Sequence, residues 1–359
     1  MRNKKTRSIP VITGWFLICA AGVYFIFKKP VNTWLSKKNS QNNKTVTITE
    51  TFFTEKNSNN NIDSLAVWHS PTGQHWVVTT AKKTHKLFVY DAATGNKIKD
   101  FGTFGKSLMQ FARPNGIAII DNLVFVVERD NHRIQAFTLP EFTCVGCAGE
   151  ENLIRPYGIS IYKTKPDTYI AYITDNYKTE APDHLNQRIH KYEITYNNRL
   201  IKSKLITAFG SEKEKDPFYK VESIVADPEN NRLFIAEEKK GNQAIKIYNL
   251  QGEFTGQFLG KDLFLYEPEG IALYTTGQST GYIVATDQSI QDNTFHVFDR
   301  QTLQYCGAFK GSQTSNTDGI ALTPITFGSF AKGAFYAINN DSNIAAIAWS
   351  EIEHTLNLK

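Results

Sequence analysis

The chain has 359 residues, 41% hydrophobic and 13% aromatic, a composition that suits a folded core and excludes a disordered or collagen-like chain. The formal net charge of +5 is unevenly spread, because nine of the 40 Lys and Arg fall in residues 1–45, which contain no acid. The remainder is mildly acidic at −4, which excludes a general nucleic-acid surface, so no nucleic-acid partner is expected.

Residues 9–27 are mostly apolar, follow Arg2, Lys4, Lys5 and Arg7, and end at Lys28-Lys29. That length just spans a bilayer, so residues 1–29 are expected to form a signal-anchor with a transmembrane helix. The denser basic cluster lies at the N-terminus, which places the rest of the chain on the periplasmic or extracellular side of the membrane. The alternative is a cleaved signal peptide and a secreted protein. Residues 30–48, rich in Asn, Ser and Lys, read as a flexible stalk, and residues 49–355 as the folded domain.

A short phrase then recurs six times: Asp63-Ser-Leu-Ala-Val, Asn115-Gly-Ile-Ala-Ile, Tyr157-Gly-Ile-Ser-Ile, Glu222-Ser-Ile-Val-Ala, Glu269-Gly-Ile-Ala-Leu and Asp318-Gly-Ile-Ala-Leu. Each copy is a polar leader, a small residue and an apolar run, and each is followed by further strand-like runs. The first unit shows the pattern, with Leu65–Trp68, Trp76–Thr80 and Leu87–Tyr90 separated by turns. Short strands repeating at a period of 42 to 65 residues predict an all-β fold, a six-bladed β-propeller. The longest gap, between the third and fourth copies, predicts an insertion near residues 176–186.

The six leaders would share one height around the central channel. Asp63, Asn115, Tyr157, Glu222, Glu269 and Asp318 then form a ring of hard oxygen donors suited to calcium. The second strand of each unit ends in polar residues: Lys82-Lys83, Glu128-Arg129, Asp175-Asn176, Glu237-Glu238, Asp287-Gln288 and Asn339-Asn340-Asp341. In an antiparallel pair that end lies on the same face as the leaders. Carboxylates beside fixed cations suit a site that takes metal ions and phosphate together. Strand ends are wet in any propeller, and the lysines alone could neutralise close carboxylates, so two readings of the acids remain open. Cys144-Val-Gly-Cys147, in a predicted loop, reads as a local disulfide or two free thiols, because no βαβ unit and no further zinc ligands accompany it. Cys306, in a strand-like run, reads as a small buried apolar residue.

These residues resemble the β-propeller phytases, the calcium-dependent alkaline phytase family. Glu222-Ser-Ile-Val-Ala-Asp-Pro-Glu-Asn-Asn-Arg-Leu-Phe-Ile-Ala-Glu-Glu238 resembles that family's E-G-x-V-A-D-x-x-x-x-x-L-Y-I-A-E-E stretch. Glu267-Pro-Glu269-Gly-Ile is similar to D-I-E-G-L, Thr314-Ser-Asn-Thr-Asp318-Gly-Ile to T-S-D-T-D-G-I, and Thr80-Ala-Lys-Lys83 to T-x-K-K. The resemblance covers roughly residues 46–350. It implies a phosphomonoester hydrolase of the 3-phytase type, releasing phosphate from phytate or related inositol phosphates with several calcium ions; the chain is expected to be a monomer. Carried across, Asp63, Glu222, Glu238, Glu267, Glu269 and Asp318 would hold metal. Glu222, Glu238, Tyr157 and Asp318 would position the attacking water, and Lys82, Lys83 and Arg129 would bind substrate phosphates. The chain departs from the pattern at four places. Glu267 replaces an Asp, Asn316 replaces an Asp, Ser64 replaces the second acid of D-D-P, and Asn176 stands where a phosphate-binding Lys is expected, with Lys178 nearby.

Two other readings compete. Residues 113–137 look like an NHL repeat, which points to a ligand- or protein-binding propeller without catalysis. A lactonase or other esterase with one central calcium would want a tighter single-metal set than Glu267/Glu269 and Lys82/Lys83 offer.

Overall fold

Each of the six phrases opens the innermost strand of one antiparallel sheet. The computed structural model describes residues 45–178, 185–210 and 217–359, and over these the chain is a six-bladed propeller. The inner strands are Ile62–His69, Pro114–Ile120, Pro156–Lys165, Ile224–Asp227, Glu267–Thr275 and Ile320–Thr323. Blades one to four each stack four strands outward in chain order. Blade five gains a fifth strand, Thr45–Ile48, which pairs in parallel with Ala308–Gly311. Blade six has three strands of its own and takes Phe52–Phe53 as its outer fourth.

The core is not one body but six wedges, one between each pair of adjacent blades. Trp68, Val78 and Val89 of blade one meet Phe111, Val126 and Phe137 of blade two. Phe234, Ile245 and Ile247 of blade four meet Ile271, Ile283 and Phe298 of blade five. The ring closes where Leu65, Val77 and Tyr90 of blade one pack on Ala334, Tyr336 and Ile344 of blade six. Every blade is buried on both faces, so its second strand reads as a nearly continuous apolar run, as in Leu123–Glu128.

One expectation lies outside the described residues, and several others are adjusted. Residues 9–27, with the expected membrane helix, lie outside the described residues, and among the described residues no helix is long and apolar enough to cross a membrane. Thr45–Ile48, assigned to the stalk, is a paired strand, because its backbone finds the open edge of blade five. Cys144 and Cys147 lie in a strand, Thr143–Ala148, rather than a loop, and both are free thiols. A bulge between Cys144 and Gly146 lets the glycine-containing segment stay in the sheet. Cys306 is in a strand but only half-buried. The extra length of the third unit is divided among the stretch around residues 176–186, the connection 210–223 that leads into blade four, and unusually long strands of 8 to 10 residues; residues 179–184 and 211–216 of it are not described.

Candidate metal and phosphate site at the channel mouth

The leader residues reach the channel because the sheet breaks locally around them. In blades one, two, three and five the inner strand loses register with its neighbour across the first two phrase residues: between Ile62 and Leu65, Pro114 and Ile117, Pro156 and Ile159, and Pro268 and Ile271. In blades four and six pairing starts only after them, at Ile224 and Ile320. A bulge of this kind re-aims a side chain. The small second residues, Ser64, Gly116, Gly158, Ser223, Gly270 and Gly319, together line one cavity of about 110 Å³ on the channel axis. Their size is dictated by packing between blades. A Cβ on Gly319 would lie 2.6 Å from the Asp63 carbonyl, and one on Gly158 would strike the carbonyl of Glu222. Thr80 and Thr174 tie the same strands together, donating to the Asn115 and Glu222 carbonyls at 2.6 and 2.8 Å.

The polar doublets at the ends of the second strands divide two tasks. The first member folds back to cap the loop entering its own blade. Asp175 accepts the backbone N–H groups of Ile154 and Arg155 at 2.8 and 2.6 Å, and Asp287 those of Leu265 and Tyr266 at 2.9 and 2.8 Å. Glu237 accepts from Tyr219 and Lys220, Glu128 from Ala112, and Asn339 from Ser315. In three doublets the second member turns to the channel, Asn176, Glu238 and Gln288, and in blade one the first member, Lys82, does so; all four contact leader carboxylates or lie among them.

The expected metal residues gather in two groups. Glu222, Glu238 and Glu269 bring carboxylate oxygens within 4.8 Å of one another, about the span across a calcium ion ligated at roughly 2.4 Å. Glu238 is fully buried, and neither of its oxygens has a well-aligned hydrogen-bond donor. Burial first, and then the charges of Glu269 and Glu222, push its carboxyl well above the usual range; Glu269 and Glu222 are raised too, burial again leading. Asn176 donates to Glu222 at 2.7 Å and is itself held by Arg188, so it orients a carboxylate instead of offering a cation. A buried set of three carboxylates, one of them without an aligned hydrogen-bond donor, fits a hard divalent cation.

The second group centres on Lys82. Its ammonium lies 2.5 Å from Asp63 Oδ1 and 3.3 Å from Asp318 Oδ2, and those acids hold it protonated despite its burial. Asp318 also accepts a hydrogen bond from Gln288, and Asp63 one from the Tyr157 hydroxyl at 3.2 Å. Tyr157 links the groups. Burial, then the charges of Asp63, Glu222, Glu269 and Asp318, drive its pKa well above that of a free phenol. Asn115, the leader of blade two, is fully buried with neither amide atom hydrogen-bonded.

Lys83 and Arg129 stand apart from both groups. Lys83 is exposed, and Arg129 is forked onto its neighbour Asp130 at 2.7 and 3.2 Å. Asn316 adopts a left-handed φ of 46°, a conformation asparagine tolerates, and adds no charge. The NHL-like residues of blade two are accounted for by packing: Arg133, Gln135 and Asn131 all donate to the buried carboxylate of Glu128.

Lys220 was missed in the sequence. Its ammonium lies 2.5 Å from Glu267 Oε2, 3.1 Å from Glu238 Oε2 and 3.6 Å from Glu269 Oε1. The available signal was its spacing: Lys220 precedes Glu222 by two residues, as Glu267 precedes Glu269.

A propeller that gathers carboxylates, a phenol and fixed ammonium groups at one end of its channel has the equipment of a hydrolase acting on a small phosphorylated molecule. A family model described as Phytase matches residues 17–350, and the chain belongs to that family, the β-propeller phytases, as a phytase-like phosphatase. No curated protein matches it. Among solved structures it is similar to a nidogen/laminin complex, at 15% identity over 71% of this chain and 82% of that one, with a TM-score of 0.48. It is also similar to hydrazine synthase of Kuenenia stuttgartiensis, at 14% identity over 79% of this chain and 82% of that one, again with a TM-score of 0.48. Neither likeness bears on what this chain does.

Proposed function

We propose that the chain is a calcium-dependent phosphomonoesterase of the 3-phytase type, acting on phytate or related inositol phosphates. The observation that carries this reading is the buried Glu222–Glu238–Glu269 cluster, in which the oxygens of Glu238 have no aligned donor. Glu222, Glu238, Glu267, Glu269, Asp63 and Asp318 would hold calcium, which when bound supplies charge screening for a polyanionic substrate and acidifies a water.

The chain's own groups do the rest. Water adds to phosphorus, the bond from phosphorus to the inositol oxygen breaks, and that oxygen takes up a proton. Tyr157 keeps its own proton at neutral pH and serves as a hydrogen-bond donor beside Asp63. Lys82, fixed between Asp63 and Asp318, supplies a cation that cannot drift. Lys83 and Arg129, nearer solvent, take the outer phosphates once Arg129 exchanges Asp130 for substrate.

The test is phosphate release from phytate by the purified protein, in millimolar calcium and in chelator, with the first position cleaved identified on the ring. Release that requires calcium is expected, and Glu222→Gln should abolish it while the folded spectrum is unchanged. Equal release in chelator would remove calcium from the mechanism, and an unchanged rate in the variant would remove Glu222 from the site.

A further inference from the structure

Lys220 occupies the position around which the carboxylates of blades four and five converge. Its backbone is fixed on both sides: its N–H donates to Glu237 Oε1 at 3.1 Å and its carbonyl accepts from Glu238 N–H at 2.9 Å. Only the four-carbon arm is free to move, and at its end the ammonium touches three carboxylates from two blades. Glu267 contributes the shortest of these contacts, at 2.5 Å, and it is the residue whose side chain is one methylene longer than the Asp of the family pattern. The longer acid and the lysine are fitted to each other across the blade boundary.

A lysine ammonium is a compact point charge with three donors. It can neutralise close carboxylates, as a divalent cation does, but it cannot ligate water or a phosphate oxygen. Calcium binding to Glu238 and Glu269 needs oxygens free to approach it at roughly 2.3–2.6 Å. An ammonium 3.1 and 3.6 Å from those same two carboxylates stands in the way. The pair Glu238–Lys220 is also imperfect as an ion pair, because the buried oxygens lack an aligned donor, so the lysine compensates the charge without satisfying the site.

We propose that Lys220 is a built-in counter-cation of the Glu222–Glu238–Glu269 cluster, holding blades four and five together when calcium is scarce and competing with calcium for the same carboxylates. This rests on the calcium reading above. On binding calcium the arm swings out past half-exposed Glu267 towards solvent, where its charge is available to a substrate phosphate.

The experiment is calcium titration by calorimetry together with thermal unfolding, on the full chain, Lys220→Met, Lys220→Gln and Lys220→Arg. Removing the ammonium should tighten calcium at the cluster by ~10-fold or more. In chelator the Met and Gln variants should unfold below the wild type, and calcium should restore them. Lys220→Arg, which keeps the cation, should follow the wild type. Wild-type affinity and stoichiometry in both neutral variants would overturn the proposal, as would a failure of calcium to restore them. Phosphate release in the same samples separates the two ideas. Calcium-dependent release with unchanged affinity in the variants keeps the function and discards the role of Lys220. Tighter calcium in the variants without hydrolysis of phytate keeps the role of Lys220 and discards the function.

Discussion

Asp175 and Asn176 are sequence neighbours with unrelated duties. The Asp175 carboxylate is fully buried and takes two backbone N–H groups of the loop that leads into its own blade, while the Asn176 amide reaches across to Glu222 in the next one. Asp175→Ala should leave both N–H groups without a partner and cost about 1–3 kcal/mol, read as a lower denaturant midpoint. Asn176→Ala should cost less, because Arg188 keeps the Tyr177 and Tyr219 carbonyls, and should instead loosen Glu222, lowering phosphate release and calcium affinity. If both variants lost stability equally, the division within the doublets would be wrong. The doublets were visible in the sequence as polar pairs closing apolar runs. Which member faces the channel was not, because that depends on strand register, and a shift of one residue exchanges the two faces. The same blindness hid Lys220, whose charge looks like any loop lysine until Glu267 of the neighbouring blade is placed beside it.

At the scale of the element, the six phrases gave a secure count of blades because each must leave the ladder and supply a small residue at the channel, a requirement written into adjacent positions. The N-terminal strands carried no such mark. Thr45–Ile48 and Phe52–Phe53 are short and find partners some 260 and 290 residues later, and nothing local announces a pairing that distant. Between them lies Glu50, buried, accepting from Ser312 Oγ at 2.5 Å, Gln313 N–H at 3.0 Å, and Thr314 N–H and Oγ1 at 2.9 and 2.6 Å. It braces the loop that ends at Asp318. Burial disfavours its charge, but the donors from Ser312, Thr314 and Gln313 outweigh it and hold the carboxyl below its usual range. A lowered folded pKa stabilises above the ordinary value of 4.5 and is lost as pH falls through the folded value. Glu50→Gln should therefore lower the melting temperature at neutral pH and lessen the fall in stability below pH ~4.5. A variant with the wild-type acid profile would show that Glu50 does not brace this loop.

On the scale of the whole molecule, the channel mouth works against the blades that form it. Six interblade wedges of apolar side chains draw the inner strands together, and in doing so they force Glu222, Glu238 and Glu269 into one cluster and Asp318 beside Lys82 at the same channel mouth. Burial leads, with neighbouring acids adding to it, in raising all four carboxyls. A carboxyl whose folded pKa lies above its unfolded one binds its proton more tightly in the folded state. Stability then falls as pH rises from the unfolded value, about 4, through the raised folded value. Lys82 and Lys220 return part of that loss but supply two charges against a larger number of acids. In chelator the protein should melt at a higher temperature near pH ~5.5 than near pH ~8. Saturating calcium, which binds the ionised form, should raise the melting temperature most at the higher pH and so flatten or reverse the difference. The window is distinct from that of Glu50, whose contribution has the opposite sign and falls away only in stronger acid. Melting curves at both pH values, with and without calcium, check this. A chelated protein more stable at pH ~8 would mean that the two lysines already balance the site, and that the carboxylates gain nothing from a metal ion.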